Sequence, residues 1–214
     1  MRTHWRWIAA ALCCFHWLSA QAQSAAGANE TNRSILVIGD SLSAEYGISR
    51  GSGWVSIVAQ KLNTEQRDYQ IENASISGDT TSGGVNRLAA ALLRTSPTIV
   101  IIELGSNDAL RGLSLAMTQQ NLATMIKQSQ QAGADVLLVG MQIPPNYGRA
   151  YAEQFKQIFV TLAQQYNTEL VPFLLDGIAT DPKQFQADGI HPNEQAQITL
   201  AKNVWTHLGP MLKP

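Results

Sequence analysis

Cysteine and histidine are scarce in this sequence. The only cysteines are Cys13 and Cys14, and the only histidines after residue 16 are His191 and His207. The long remainder of the chain therefore has no disulfide, no cysteine nucleophile and no thiolate metal site. Any chemistry that needs an imidazole there has two candidates.

Charge is also scarce, because only 14% of the 214 residues are charged and 15 Lys and Arg oppose 16 Asp and Glu. A balance so close to zero lacks the basic excess typical of nucleic-acid-binding proteins, so we expect no nucleic-acid partner. The sequence has neither an H-E-x-x-H zinc motif nor a complete phosphate-binding loop. These absences count against metal-dependent hydrolysis and nucleotide binding.

The first 22 residues form a segment of their own. Arg2 and Arg6 precede an apolar run over residues 7–18, and an A-x-A sequence ends at Ala22. This order is typical of a secretory signal peptide. The alternative is an uncleaved anchor, which needs about 20 apolar residues to span a bilayer. We therefore predict cleavage after Ala22, a periplasmic or secreted protein, and no stable membrane insertion afterwards.

The rest of the chain alternates strand and helix patterns. After a polar leader over residues 23–33, residues 34–214 contain no internal repeat and no linker, which predicts a single domain. The predicted strands are Ile35–Ile38, Tyr69–Asn73, Thr98–Leu104, Asp135–Met141 and Glu169–Val171. Apolar stripes at helical spacing lie within residues 85–93, 122–126, 151–166 and 198–208. This alternation predicts an α/β fold, a mostly parallel sheet with helices on both faces, which binds ligands beyond the carboxyl ends of its strands.

The first polar cluster, Gly39-Asp40-Ser41-Leu42, directly follows the first predicted strand. A serine at such a turn can present its hydroxyl at the edge of the sheet as a nucleophile. The alternative is that Ser41 caps a helix, which is a common role of serine. The last glycine of the G-x-S-x-G elbow is missing, because position 43 is serine, and this counts against an α/β-hydrolase elbow.

The segment Asp188-Gly189-Ile190-His191-Pro192 precedes the last predicted helix. A carboxylate three residues before an imidazole can accept a hydrogen bond from Nδ1–H and leave Nε2 free as a general base. The alternative is a structural histidine beside a turn aspartate. His207 has no carboxylate near it in the sequence, and we interpret it as a surface or packing residue.

Two further polar clusters follow the second and third predicted strands. Asn107, in the segment Glu103-Leu104-Gly105-Ser106-Asn107-Asp108, has a side-chain amide that can donate to a developing oxyanion. Gly78, in the segment ASISGDT, has a backbone N–H that can do the same. The alternatives are an Asx turn and a plain turn glycine.

Taken in order, these clusters resemble a known family. Gly39-Asp40-Ser41-Leu42, Gly78, the Gly105-to-Asp108 segment and Asp188-x-x-His191 match the four blocks of the SGNH (GDSL) hydrolases. Further segments are similar to the bacterial periplasmic thioesterase I/lysophospholipase L1 group, namely 73–80, 110–113, 143–148 and 188–193. The resemblance covers nearly all of the chain after residue 22. It implies a three-layer α/β/α, flavodoxin-like fold with a mostly parallel five-stranded sheet, and no metal or cofactor.

The resemblance also implies a function. The chain is expected to hydrolyse small-molecule acyl esters and thioesters, such as lysophospholipids and acyl-CoA, through an acyl-enzyme. Ser41 would be the nucleophile, His191 the base and Asp188 its orienting acid. The backbone N–H groups of Ser41 and Gly78 and the side chain of Asn107 would bind the oxyanion. We expect a monomer.

Apolar residues after the third and fourth predicted strands are candidates for an acyl-chain track, which would consist of Leu113, Ile143, Pro144 and Tyr147. The alternative is that these residues only seal the edge of the sheet. Two other functions stay open at this point. One is a carbohydrate O-deacetylase of the same family, and the other is an exported binding module without turnover.

Overall fold

The computed structural model describes Met1, residues 33–65 and residues 67–213, with the backbone alone at position 145. The predicted signal peptide and nearly all of the predicted leader lie outside this described part. Within it the strands are β1 (Arg33–Gly39), β2 (Tyr69–Asn73), β3 (Ile99–Glu103), β4 (Asp135–Val139) and β5 (Glu169–Val171). The α-helices are α1 (Trp54–Thr64), α2 (Thr81–Thr95), α3 (Ser106–Leu110), α4 (Leu115–Gln131), α5 (Arg149–Tyr166) and α6 (Gln197–Leu208). Short 3-10 helices lie at Pro145–Tyr147, Pro182–Gln184 and Gly209–Met211.

The five strands form one parallel sheet in the order β2-β1-β3-β4-β5. The central strand β3 is buried along its whole length, which agrees with its continuous apolar sequence IVII before Glu103. The strand order reverses between β1 and β3, and ligands of such sheets bind at this reversal. The segments that contain Ser41 and Asn107 follow β1 and β3, so both begin there.

The helices cover both faces of the sheet. Helices α1 and α6 pack against each other, while α4 packs against both α2 and α5. This three-layer α/β/α arrangement confirms the predicted fold class. None of the helices in the described part of the chain is long and apolar enough to cross a membrane.

Helix α5 supports the loop that follows β3. Its Phe155 and Phe159 are buried and meet edge to face, with ring centroids 5.3 Å apart. A Cβ atom added to Gly105 would lie 3.4 Å from both rings, so the loop before Asn107 rests directly on these aromatics. The packing restricts where the Asn107 side chain can lie.

The structure differs from the sequence prediction in a few places. Helix α1 was not predicted, although its buried Trp54, Val58 and Leu62 have helical spacing. It follows the turn-like sequence Gly51-Ser52-Gly53 and has no side-chain N-cap, so the usual start signal is missing. Strands β3 and β4 are shorter than predicted because the chain leaves the sheet once it reaches the loops of the site.

Candidate active site

Ser41 lies in the turn that directly follows β1. The turn starts at Gly39, where an added Cβ atom would approach Ser43 Oγ to 2.7 Å and Ser75 Oγ to 2.8 Å. A residue with a side chain would therefore collide with both neighbours. The hydroxyl of Ser41 faces Nε2 of His191 at 2.9 Å. The side chain of Ser41 thus binds His191 instead of capping a helix, which was the alternative considered from the sequence.

His191 is held between Ser41 and Asp188. Its Nδ1 lies 2.7 Å from Asp188 Oδ2, while Asp188 Oδ1 accepts the backbone N–H groups of Ile190 at 2.9 Å and of His191 at 3.0 Å. The pKa of Asp188 is lowered to about 2, chiefly by the hydrogen bond from the backbone N–H of His191. The hydrogen bonds from the imidazole and from the N–H of Ile190 lower it further. Because an ionised carboxylate only accepts, Nδ1 carries the proton and Nε2 is free to accept from Ser41.

Two unpaired backbone donors lie on the loops after β1 and β2. Among the residues that the structure describes, the N–H groups of Ser41 and Gly78 have no hydrogen-bond acceptor. Gly78 has a φ of +79°, a backbone conformation that favours glycine. Free N–H groups of this kind can stabilise an oxyanion.

Asn107 bridges these two loops. Its Nδ2 donates to Asp40 Oδ2 and to the backbone oxygen of Asp79, both at 3.0 Å. Asp40 precedes Ser41 in the chain, and Asp79 follows Gly78. The amide therefore lies beside both residues that carry the unpaired N–H groups, as the predicted oxyanion role requires.

Side chains from the C-terminal region fasten the His191 loop to the Ser41 loop. Gln186 Nε2 donates to the backbone oxygen of Tyr46 at 2.9 Å, and Glu194 Oε1 accepts the N–H of Ser49 at 2.8 Å. The ring of Tyr46 also lies against the imidazole of His191, with centroids 4.5 Å apart. These contacts fix the distance between the Ser41 loop and the His191 loop. The sequence analysis named none of them.

Two buried carboxyl groups lie directly behind Ser41. Asp40 and Glu103 are 1% and 2% exposed, and Glu103 Oε2 accepts the backbone N–H of Asp40 at 3.2 Å. Burial raises the pKa of Asp40 to about 6 and that of Glu103 well above its usual range. The sequence analysis quoted both residues within its motifs but assigned them no role. A role for Glu103 could have been inferred from the sequence, because it is an acidic residue at the end of the otherwise apolar strand β3.

The four predicted track residues are not equivalent. Ile143 is 8% exposed and packs in the core, whereas Leu113, Pro144 and Tyr147 are exposed. A shallow depression beside Ser41 is lined by other residues, among them Leu42, Tyr46, Ile48, His191 and Pro192. The track of the sequence analysis therefore stays a prediction.

His207 has a carboxylate partner that its sequence neighbours did not indicate, while its interpretation as a surface or packing residue is not contradicted. Its Nδ1 lies 2.8 Å from Glu169 Oε1, and Glu169 begins β5. The pair is thus at the opposite edge of the sheet from Ser41. In the described part of the chain, no group of three or more histidine, cysteine, aspartate or glutamate side chains could hold a metal ion.

Comparison with known proteins gives relatives over most of the chain. Residues 37–197 match the GDSL-like Lipase/Acylhydrolase family. "Esterase TesA" of Pseudomonas aeruginosa (PAO1) is 48% identical over 180 residues, which are 84% of this chain and 90% of the relative. "Thioesterase 1/protease 1/lysophospholipase L1" of Escherichia coli K12 is 39% identical over 178 residues, 83% of this chain and 84% of the relative.

The solved structures agree with this relationship. A crystal structure of TesA, 48% identical in sequence, superposes on this chain with a TM-score of 0.82. The aligned region covers 84% of this chain and 100% of the TesA chain. The match in sequence and in three-dimensional structure, over most of the length of the relatives, confirms the resemblance stated from the sequence. The chain belongs to the GDSL-like lipase/acylhydrolase family.

Proposed function

We propose that Ser41, His191 and Asp188 form the catalytic triad of this chain and that its substrates are fatty acyl esters. The family and the esterase and thioesterase names of the relatives make the chain a hydrolase of carboxylic esters and thioesters. The observation that carries the residue assignment is the 2.9 Å contact between Ser41 Oγ and His191 Nε2, with Asp188 on the other ring nitrogen.

The proposed reaction has two half-reactions at this site. Ser41 Oγ attacks the acyl carbonyl as its proton passes to Nε2 of His191, and Asp188 stabilises the imidazolium that forms. The N–H groups of Ser41 and Gly78 and the amide of Asn107 bind the oxyanion. Nε2–H then protonates the leaving group, and water attacks the acyl-enzyme by the same route.

The Asn107 amide has to change partners during this reaction. Both of its N–H protons have acceptors in the free site, Asp40 Oδ2 and the oxygen of Asp79. Exchange of the neutral Asp79 carbonyl for a charged oxyanion is favourable because charge-assisted hydrogen bonds are about twice as strong as neutral ones. The hydrogen bond gained appears only in the transition state, so it accelerates the reaction without tightening substrate binding.

We propose that the chain is exported and cleaved after Ala22, leaving a leader over 23–33 and a single hydrolase domain over 34–214. The basic start, the apolar run and the A-x-A sequence support this proposal. Because an exported enzyme does not meet cytosolic acyl-CoA, lysophospholipids are the better physiological candidates. N-terminal sequencing of the exported protein tests the proposal, and a mature chain that retains Arg2 would contradict it.

The first prediction concerns acyl-chain length. With p-nitrophenyl esters, kcat/KM is expected to be higher for octanoate and longer chains than for acetate, and lysophospholipid and acyl-CoA should both be cleaved. The reason is that His191 can protonate either an alkoxide or a thiolate leaving group, and the loops around the site offer apolar surface. The assay uses the mature protein with Ser41→Ala as its blank.

The other two functions make different predictions in this assay. A preference for acetate would favour the carbohydrate O-deacetylase. Absence of turnover, together with failure of a fluorophosphonate to label Ser41, would favour the binding module.

The second prediction concerns the acyl track. Leu113→Ser is expected to lower kcat/KM for long-chain esters by roughly tenfold, since removing an apolar contact of this size costs on the order of 1–2 kcal/mol, and to leave acetate turnover unchanged. Leu93→Ser is the matched control, because Leu93 is an exposed leucine on α2. If both variants keep the wild-type chain-length profile, the acyl chain binds elsewhere. Ile143 is unsuitable for this test because it packs in the core.

A further inference from the structure

We infer that Asp40 and Glu103 act together as a positioning pair, in which Glu103 keeps its proton and Asp40, as a carboxylate, orients the oxyanion-binding amide of Asn107. The inference rests on the proposed roles of Ser41 and Asn107. It adds two residues to the machinery of the reaction, neither of which contacts the substrate.

The geometry allows one negative charge on the pair. Glu103 Oε2 already accepts the N–H of Asp40 at 3.2 Å and the hydroxyl of Ser43 at 2.7 Å. The first of these contacts brings Glu103 against the residue that carries the Asp40 carboxyl group, and both side chains are almost fully buried. Two buried carboxylates in contact cannot both be ionised, so one proton is retained between them.

The positive charge that forms on His191 favours ionisation of Asp40. Asp40 accepts the N–H of Leu42 at 3.0 Å and the amide of Asn107 at 3.0 Å, and it faces the charge that His191 gains. Glu103 also accepts two hydrogen bonds, but burial and the charge of Asp40 raise its pKa well above the usual range. Asp40 therefore carries the charge, and Glu103 keeps the proton.

The charge on Asp40 determines how the Asn107 amide is oriented. A side-chain amide can rotate by 180° and exchange its oxygen for its nitrogen. With a carboxylate on one side and the Asp79 carbonyl on the other, the rotated amide would place oxygen against oxygen twice. Only the orientation that places Nδ2 toward Asp40 and Asp79 is compatible with both acceptors. In the same orientation the amide presents an N–H donor to the oxyanion.

The surrounding charges limit how Asp40 responds to pH. Glu103 faces it from β3 and His191 from the loop before α6. Arg87 of α2 reaches the backbone oxygen of Gly39 at 3.2 Å, but its guanidinium is paired with Asp79 at 2.7 Å. Desolvation therefore dominates, and the pKa of Asp40 is raised to about 6. Protonation below this pH removes the charge of Asp40 and turns one of its two accepting oxygens into a donor, which weakens the hold on Asn107. Activity should therefore fall with one additional proton.

The third prediction tests this pair with two conservative variants. Asp40→Asn is expected to lower kcat by roughly 10- to 100-fold, with KM within threefold, and to make the acid limb of the kcat profile less steep by one proton. Glu103→Gln keeps a donor toward Asp40 and is expected to retain kcat within about threefold, whereas Glu103→Leu should lose tenfold or more. The unfolding temperature of Glu103→Gln should stay near that of the wild type, because one amide oxygen can accept both donors that Glu103 Oε2 accepts. That of Asp40→Asn should fall somewhat, because asparagine has one oxygen for two buried donors.

Three outcomes would overturn the inference: an acid limb of unchanged steepness in Asp40→Asn, equal losses in Glu103→Gln and Glu103→Leu, or a carboxyl 13C titration of the wild-type chain that shows Glu103 ionised at pH 7. The titration needs no variant, so it decides the matter even if a variant fails to fold. Lack of ester turnover and of fluorophosphonate labelling in the wild type would instead refute the proposed function. The two failures are therefore distinguishable.

Discussion

Replacement of Ser41 by alanine is expected to lower kcat for every ester and thioester by roughly 10³- to 10⁶-fold, which is the range for loss of a serine nucleophile. No other hydroxyl is within hydrogen-bond distance of His191 Nε2 in the described part of the chain. The variant should fold normally, because the Ser41 side chain is only half-buried and its one hydrogen bond is to His191. Single-turnover kinetics and labelling by a fluorophosphonate measure the loss.

The same prediction extends to His191 and has an internal control. His191→Ala should be nearly as damaging as Ser41→Ala, and the double variant little worse than either, because the two groups act as one unit. His207 is the matched histidine, since it also contacts a carboxylate but lies at the other edge of the sheet. His207→Ala should keep wild-type kcat. Full additivity of the two active-site changes, or a comparable loss in His207→Ala, would refute the assignment of the base.

Replacement of Asn107 by alanine has the second-largest expected effect. The kcat should fall by roughly 10²- to 10³-fold, or about 3 kcal/mol, as for other oxyanion donors. The KM should change little, because the amide meets the oxygen of the substrate only once that oxygen becomes negative. The measurement is kcat and KM for a p-nitrophenyl ester, with the free energy of unfolding determined in parallel.

Asn203 is the matched control for this loss. Its Nδ2 also donates two hydrogen bonds, here to the backbone oxygens of Leu174 and Asp176, each at 2.9 Å. Asn203→Ala therefore removes the same number of hydrogen bonds away from Ser41. It should lower stability but leave kcat unchanged. Equal losses of kcat in the two variants would mean that Asn107 acts only by holding the fold together.

The residues of the proposed triad and oxyanion site could be predicted from the sequence because each belongs to a short motif, either at the end of a strand or before the last helix. A parallel sheet brings such ends together at one edge, so no long-range distance had to be known. Ser41 and Asn107 are examples, whereas His191 lies in the segment before α6. The structure brings His191 into contact with Ser41 and Asp188, as their motifs indicated, but the hydrogen bond between Asn107 and Asp40 was not indicated.

The contacts between distant segments could not be predicted in this way. Glu103 faces Asp40 because Gly39 pairs with Glu103 in the register of β1 and β3, and a shift by one residue would turn the carboxyl group to the other face. The partner of His207 depends likewise on how α6 lies against β5. Such registers depend on the packing of the whole core and leave no local pattern in the sequence.

The proposed nucleophile and its base lie 150 residues apart in the chain, and the helices that follow them, α1 and α6, pack against each other. Contacts of such separation require closure of nearly the entire chain, and they form late when folding is dominated by local structure. Recovery of activity after denaturation therefore reports completion of folding and cannot be produced by any fragment that lacks Ser41 or His191. A chain that emerges N-terminus first carries its serine for almost all of its synthesis without the imidazole that activates it.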